Sequence, residues 1–146
     1  MGNKVKYLVS ACLCGIRSRF DGKDARDNQI AELVKKGEAI PVCPEELGGL
    51  PVPRPPGEIE KGDDKDVLSE QTKVVSKDGE DLTPFFLRGA FASITIAKKF
   101  KVKKAMLKQN SPSCGCGWIK RKGKLVKGDG VTVALLKKEG IWVVPR

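Results

Sequence analysis

The chain has no histidine in 146 residues. That absence removes Ser-His-Asp and Cys-His nucleophilic sites. It also removes mixed Cys/His zinc sites and carboxylate–histidine metal sites. Any acid–base work falls to carboxylates, lysines, the tyrosine or thiols. Long apolar runs are missing too: none approaches the roughly 20 residues needed to span a bilayer, so no membrane role is expected. Met1–Ser10 carries no signal-peptide pattern, and the expected compartment is the cytoplasm, where thiols stay reduced. Aromatic residues make up only 5% of the chain, too few to supply many base-stacking platforms.

What is present is a globular composition, 40% apolar and 32% charged, of a length that predicts a single domain spanning residues 1–146. The net charge is +10, which favours anionic partners such as nucleotides or RNA without choosing among them. The same lysines also read as a solvated surface, with clusters at Lys98–Lys104 and Lys120–Lys127. There are five cysteines, Cys12, Cys14, Cys43, Cys114 and Cys116. An odd count in a reducing compartment argues for metal binding or reactive thiols rather than a disulfide framework.

The pattern along the chain predicts alternating strands and helices. Val5–Ser10 reads as a buried strand. Asp27 reads as the N-cap of a helix through Ile30, Leu33 and Val34, closed by Gly37. Ala39–Val42 is a second strand. The stretch from Cys43 to Gly62 is too rich in Pro and Gly for a regular helix or central strand, and reads as either a disordered segment or a binding loop. Lys73–Ser76 with Asp78–Gly79 predicts a small hairpin. Thr83 reads as the cap of a long helix with Pro84 in its first turn, running to about Phe100. Lys104–Leu107 is a third strand, Asn110–Gly123 a loop, Val131–Lys138 a helix capped by Asp129, and Ile141–Val144 a final strand. The expected fold is α/β: a small doubly wound, mostly parallel sheet in the order 2-1-3-4, with helices on both faces and the Pro/Gly-rich insertion.

Three cysteines fall just beyond the carboxyl ends of three predicted strands: Cys12, Cys43 and Cys114. In a parallel sheet those loops emerge on one edge, where α/β proteins bind ligands. A single cysteine is as readily a small buried hydrophobe; three on one edge point to a shared site. Three separated thiolates can hold a cubane iron–sulfur cluster with one iron left open, a Lewis acid that a substrate sulfur can occupy.

The segments Val9-Ser-Ala-Cys12-Leu with Asp21-Gly22, Pro41-Val-Cys-Pro-Glu45 with Leu47-Gly-Gly-Leu50, Pro53-Arg-Pro-Pro56, Ser111-Pro-Ser-Cys-Gly115 and Gly128-Asp-Gly-Val131 resemble the thiouracil desulfidase (TudS-like) family, in order and over nearly the whole chain. The resemblance implies an oxygen-sensitive 4Fe–4S cluster on Cys12, Cys43 and Cys114. It implies conversion of a thiouracil-type base or nucleotide to uracil with release of sulfide. It marks Glu45 and Ser111 as catalytic residues. Cys14 and Cys116 stand where members often have Leu and a small residue. The chemistry expected is water attack on the thiocarbonyl carbon, helped by a carboxylate base, with no net redox change. Arg54 suits a substrate carbonyl or phosphate, and equally a surface salt bridge. The helix start after Gly128-Asp-Gly suits an anion, or plain capping by Asp129. Two other classes fit the sequence: an RNA-binding accessory domain with a structural metal, and a zinc or thiol protein that carries sulfur.

Overall fold

The computed structural model describes residues 4–61 and 71–146. These residues form a parallel sheet of β1 (Tyr7–Ser10), β2 (Ala39–Val42), β5 (Lys104–Leu107) and β8 (Trp142–Pro145), in the order β2-β1-β5-β8. That is the predicted 2-1-3-4 arrangement. Pro41, which has no N–H to give, sits on the edge strand β2.

Side chains alternate across this sheet. Leu8, Ala105, Leu107 and Val143 enter the main core with Phe86 and Ile94 of α3 (Thr83–Lys99) and Val133 and Leu136 of α4 (Val131–Lys138). Val9, Ala39 and Met106 face the other way, onto Ile30 of α1 (Asn28–Lys35). Helices thus cover both faces, as β-strands buried on two sides require. Asp27 does cap α1: its Oδ1 accepts from the N–H groups of Gln29 and Ile30.

The Pro/Gly-rich stretch is more ordered than its composition implies. Gly62 lies outside the described residues, but Pro44–Leu47 forms a single helical turn, α2, with Pro44 at the first position, where a missing N–H costs nothing. Further on, β3 (Gly57–Ile59) pairs antiparallel with β4 (Val74–Ser76). The predicted hairpin at Asp78–Gly79 is a tight turn closed by a bridge between Val75 and Asp81, and β4 finds its ladder partner in β3 instead. The predicted loop at Asn110–Gly123 contains β6 (Trp118–Arg121), which pairs with β7 (Lys124–Lys127).

Two of the predicted caps act elsewhere. Thr83 Oγ1 accepts from the N–H of Val74, tying α3 to the small sheet. Asp129 accepts from Gly117 N and from Lys137 Nζ, bracing the loop before α4.

Packing between α2 and α3 relies on two glycines. A Cβ on Gly48 would overlap the carbonyl of Phe85, and one on Gly89 would overlap the carbonyl of Pro44. A methyl at either would cost roughly 1–3 kcal/mol in overpacking and would push the Cys43–Glu45 segment off the long helix.

Candidate functional site

The three strand-end cysteines meet. Cys12 lies in the 3-10 turn Ala11–Cys14 that follows β1, Cys43 immediately precedes α2, and Cys114 lies between β5 and β6. All three line one cavity of about 400 Å³ at the carboxyl edge of the sheet. The turn carrying Cys12 ends at Gly15, whose φ of 101° suits glycine and lets its N–H reach the carbonyls of Ala11 and Cys12. Cys14 and Cys116 do not line the cavity. Cys14 Sγ lies 3.2 Å from the carbonyl of Ala11 and packs on the α1 side, while Cys116 packs against the main core.

Burial governs the three thiols. It pushes Cys12 up to about 11, helped by neighbouring Cys43 and opposed by Lys108 and Arg19. It pushes Cys114 up to about 12, against the polar contacts of the Ser10 and Ser113 hydroxyls. Cys43 is raised by burial too, opposed by the Glu46 backbone and by Arg54. At neutral pH these are protonated thiols and poor free nucleophiles. Loading a metal must displace their protons, so thiolates form here only with a positive partner in the cavity.

Glu45 lies one residue beyond Pro44 in α2 and faces the same cavity. Its Oε1 accepts from Arg54 Nε at 3.2 Å, and its Oε2 from Ser113 Oγ, also at 3.2 Å. Glu46 is exposed and lies outside the cavity. Arg54 is a buried residue, not a surface one: its side chain is 2% exposed. Besides Glu45 it donates to the carbonyls of Ser18 (2.8 Å) and Pro51 (3.2 Å), and its Nη2 lies 3.7 Å from Cys43 Sγ. A buried carboxylate–guanidinium pair is tolerated when further hydrogen bonds support it, as the Ser113 hydroxyl and the carbonyls of Ser18 and Pro51 do here.

Ser111 lines the cavity, and its Oγ accepts from the N–H groups of Ser113 (3.1 Å) and Cys114 (3.2 Å). This fixes the turn that carries Cys114. The same turn is held from behind by α4. The N–H groups of Gly130, Val131 and Thr132 donate to the carbonyls of Gly115, Pro112 and Ser113. A Cβ on Gly130 would collide with the Ser113 carbonyl carbon at 2.4 Å, so the close approach needs glycine. The helix start after Gly128-Asp-Gly therefore spends its donors on the cysteine loop rather than on an anion. Ser113 itself is 1% exposed and was not singled out as a site residue from sequence. Its signal there is its place in the Ser111-Pro-Ser-Cys-Gly115 segment, beside Cys114. Lys108 and Lys120 bring positive charge to the cavity wall, the latter from the β6–β7 hairpin.

Fold and cavity together define a doubly wound α/β protein with a three-thiol site at its switch point. The sequence model of the 2-thiouracil desulfurase family matches residues 7–146, and the chain belongs to that family. It is 44% identical over 140 residues to an uncharacterized protein, YbbK, of Bacillus subtilis (strain 168), a match covering 94% of this chain and 93% of that one. A solved structure described as a 4Fe-4S-dependent thiouracil desulfidase, TudS, superposes with a TM-score of 0.84 at 38% identity, covering 97% of this chain and 91% of that one. Among the described residues no helix is long and apolar enough to cross a membrane.

Proposed function

We propose that this chain is a 4Fe–4S cluster-dependent desulfidase that removes sulfur from a thiolated pyrimidine, base or nucleotide, giving uracil and sulfide. The observation that carries this reading is the gathering of Cys12, Cys43 and Cys114, from three strand ends, into one cavity with a clamped carboxylate. The donor set fits such a cluster. Three thiol side chains line one cavity, and the chain has no histidine; a cubane takes separate thiolates at separate iron corners. The described function of the superposing TudS structure, and membership of the family, support the same reading.

Cys12, Cys43 and Cys114 would hold the cluster, which when bound supplies a Lewis-acidic iron with affinity for sulfur. The chain's own residues supply the rest. Glu45 takes a proton from the water whose oxygen bonds to the thiocarbonyl carbon. Glu45 returns that proton to the sulfur, the carbon–sulfur bond breaks, and sulfur departs as hydrosulfide while the remaining hydroxyl proton is released to solvent as the carbonyl forms, with no change of oxidation state and no external reductant. Ser111, on the cavity wall, fixes the turn that carries Cys114 and so shapes the surface on which substrate or water is oriented. Arg54 uses four of its donor contacts on protein acceptors; a guanidinium has five N–H groups, which leaves one for a substrate carbonyl or phosphate.

Cluster-loaded protein under argon is expected to convert 2-thiouracil to uracil and sulfide in equal amounts, and iron-free protein to convert none. With Lys108 and Lys120 on the cavity wall, a thiolated nucleotide should turn over faster than the free base at low salt. That gap should narrow as salt rises. Retention of RNA without any sulfide release would favour the accessory-domain reading instead.

A further inference from the structure

The Glu45 carboxylate and the Ser111 hydroxyl are joined through a third side chain. Ser113 Oγ lies 3.2 Å from Glu45 Oε2, 3.0 Å from Ser111 Oγ and 3.7 Å from Cys114 Sγ. A serine hydroxyl has one hydrogen to give and two lone pairs. Both lone pairs of Ser111 are taken by the N–H groups of Ser113 and Cys114. Ser111 can therefore only donate, and Ser113 Oγ is within its reach. Once Ser113 accepts that hydrogen, its own goes to the strongest neighbouring acceptor, the Glu45 carboxylate, as a charge-assisted bond. The chain has one direction: Ser111 to Ser113 to Glu45.

The same contact completes a two-point clamp. Arg54 Nε holds one carboxylate oxygen and Ser113 Oγ holds the other. With Arg54 alone, the carboxylate could turn about its single anchored oxygen. We propose that Ser113 is a positioning residue that aims Glu45 at the reacting water and poises the hydroxyl of Ser111, a role that rests on the desulfidase reading above. It acts through Glu45 and Ser111, and it leaves iron binding to the cysteines.

The test is a double-mutant cycle on cluster-loaded protein with wild type, Ser113→Ala, Glu45→Gln and the double variant. Ser113→Ala is expected to keep wild-type iron and sulfide content and nearly the wild-type KM. Its kcat should fall roughly 10²-fold, the scale of loss from a misaimed catalytic group. In the Glu45→Gln background the same change should cost little more, because residues acting as one unit are strongly non-additive. Additive losses, or loss of iron in Ser113→Ala, would overturn the role. Infrared difference spectra give a readout independent of turnover. The Glu45 carboxylate band, identified by its loss in Glu45→Gln, should shift in Ser113→Ala, and an unshifted band overturns the clamp. If the wild type releases no sulfide from any thiolated pyrimidine, the desulfidase reading fails, and the infrared arm still decides whether Ser113 holds Glu45.

Discussion

Replacing Cys12, Cys43 or Cys114 by Ala is expected to abolish both the brown colour of anaerobically prepared protein and its release of sulfide, while replacing Cys14 or Cys116 by Ala leaves both largely intact. The difference follows from position. The first three thiols line the cavity; the other two pack against the α1-side cluster and the main core. A cubane needs each of its protein thiolates, and the chain has no histidine to stand in for one. Colour, iron and acid-labile sulfide should be measured on all five variants, with circular dichroism to confirm folding. Iron retained in Cys12→Ala but lost in Cys14→Ala would show the ligand assignment to be wrong.

Glu45→Gln is expected to load its cluster and bind substrate normally, yet lose a factor of roughly 10²–10⁴ in rate, the usual worth of a general base. Gln keeps the size and one acceptor oxygen, so the Arg54 contact survives in part while proton uptake is lost. Glu46→Gln, changing an exposed side chain outside the cavity, should be near wild type. Single-turnover sulfide release from the three loaded proteins makes the comparison. Loss in Glu46→Gln with a normal Glu45→Gln would transfer the role to the neighbour. Normal rates in both would remove this loop as the source of the base.

Much of the frame was legible in the sequence because short apolar runs bounded by loops with Gly or Pro read as strands, and strand ends in a parallel sheet share an edge. That reasoning brought Cys12, Cys43 and Cys114 together before any coordinates. Local pattern misled where long-range partners compete. Asp129 stands two residues before a helix start, yet Gly117 and Lys137 claim its carboxylate. The β6–β7 hairpin is hidden by lysines on both strands, although Lys122 and Gly123 both adopt positive φ at its turn. Single-turn α2 is hidden because it sits in a proline-rich run. Ser113 meets Glu45 across 68 residues of chain, a pairing that no local spacing reveals. From sequence Arg54 was read as a substrate contact or, equally, a surface ion pair; its ion pair with Glu45 proves to be buried, and the carbonyls of Pro51 and Ser18 help hold it in the cavity wall.

The central claim is that the three-thiol cavity holds an iron–sulfur cluster rather than a single metal ion. The most direct measurement is the metal and acid-labile sulfide content of protein purified and reconstituted without oxygen. The account predicts brown protein with iron and sulfide in near-equal amounts, about four of each per chain for a 4Fe–4S cluster. Colourless protein carrying stoichiometric zinc and no labile sulfide would contradict it.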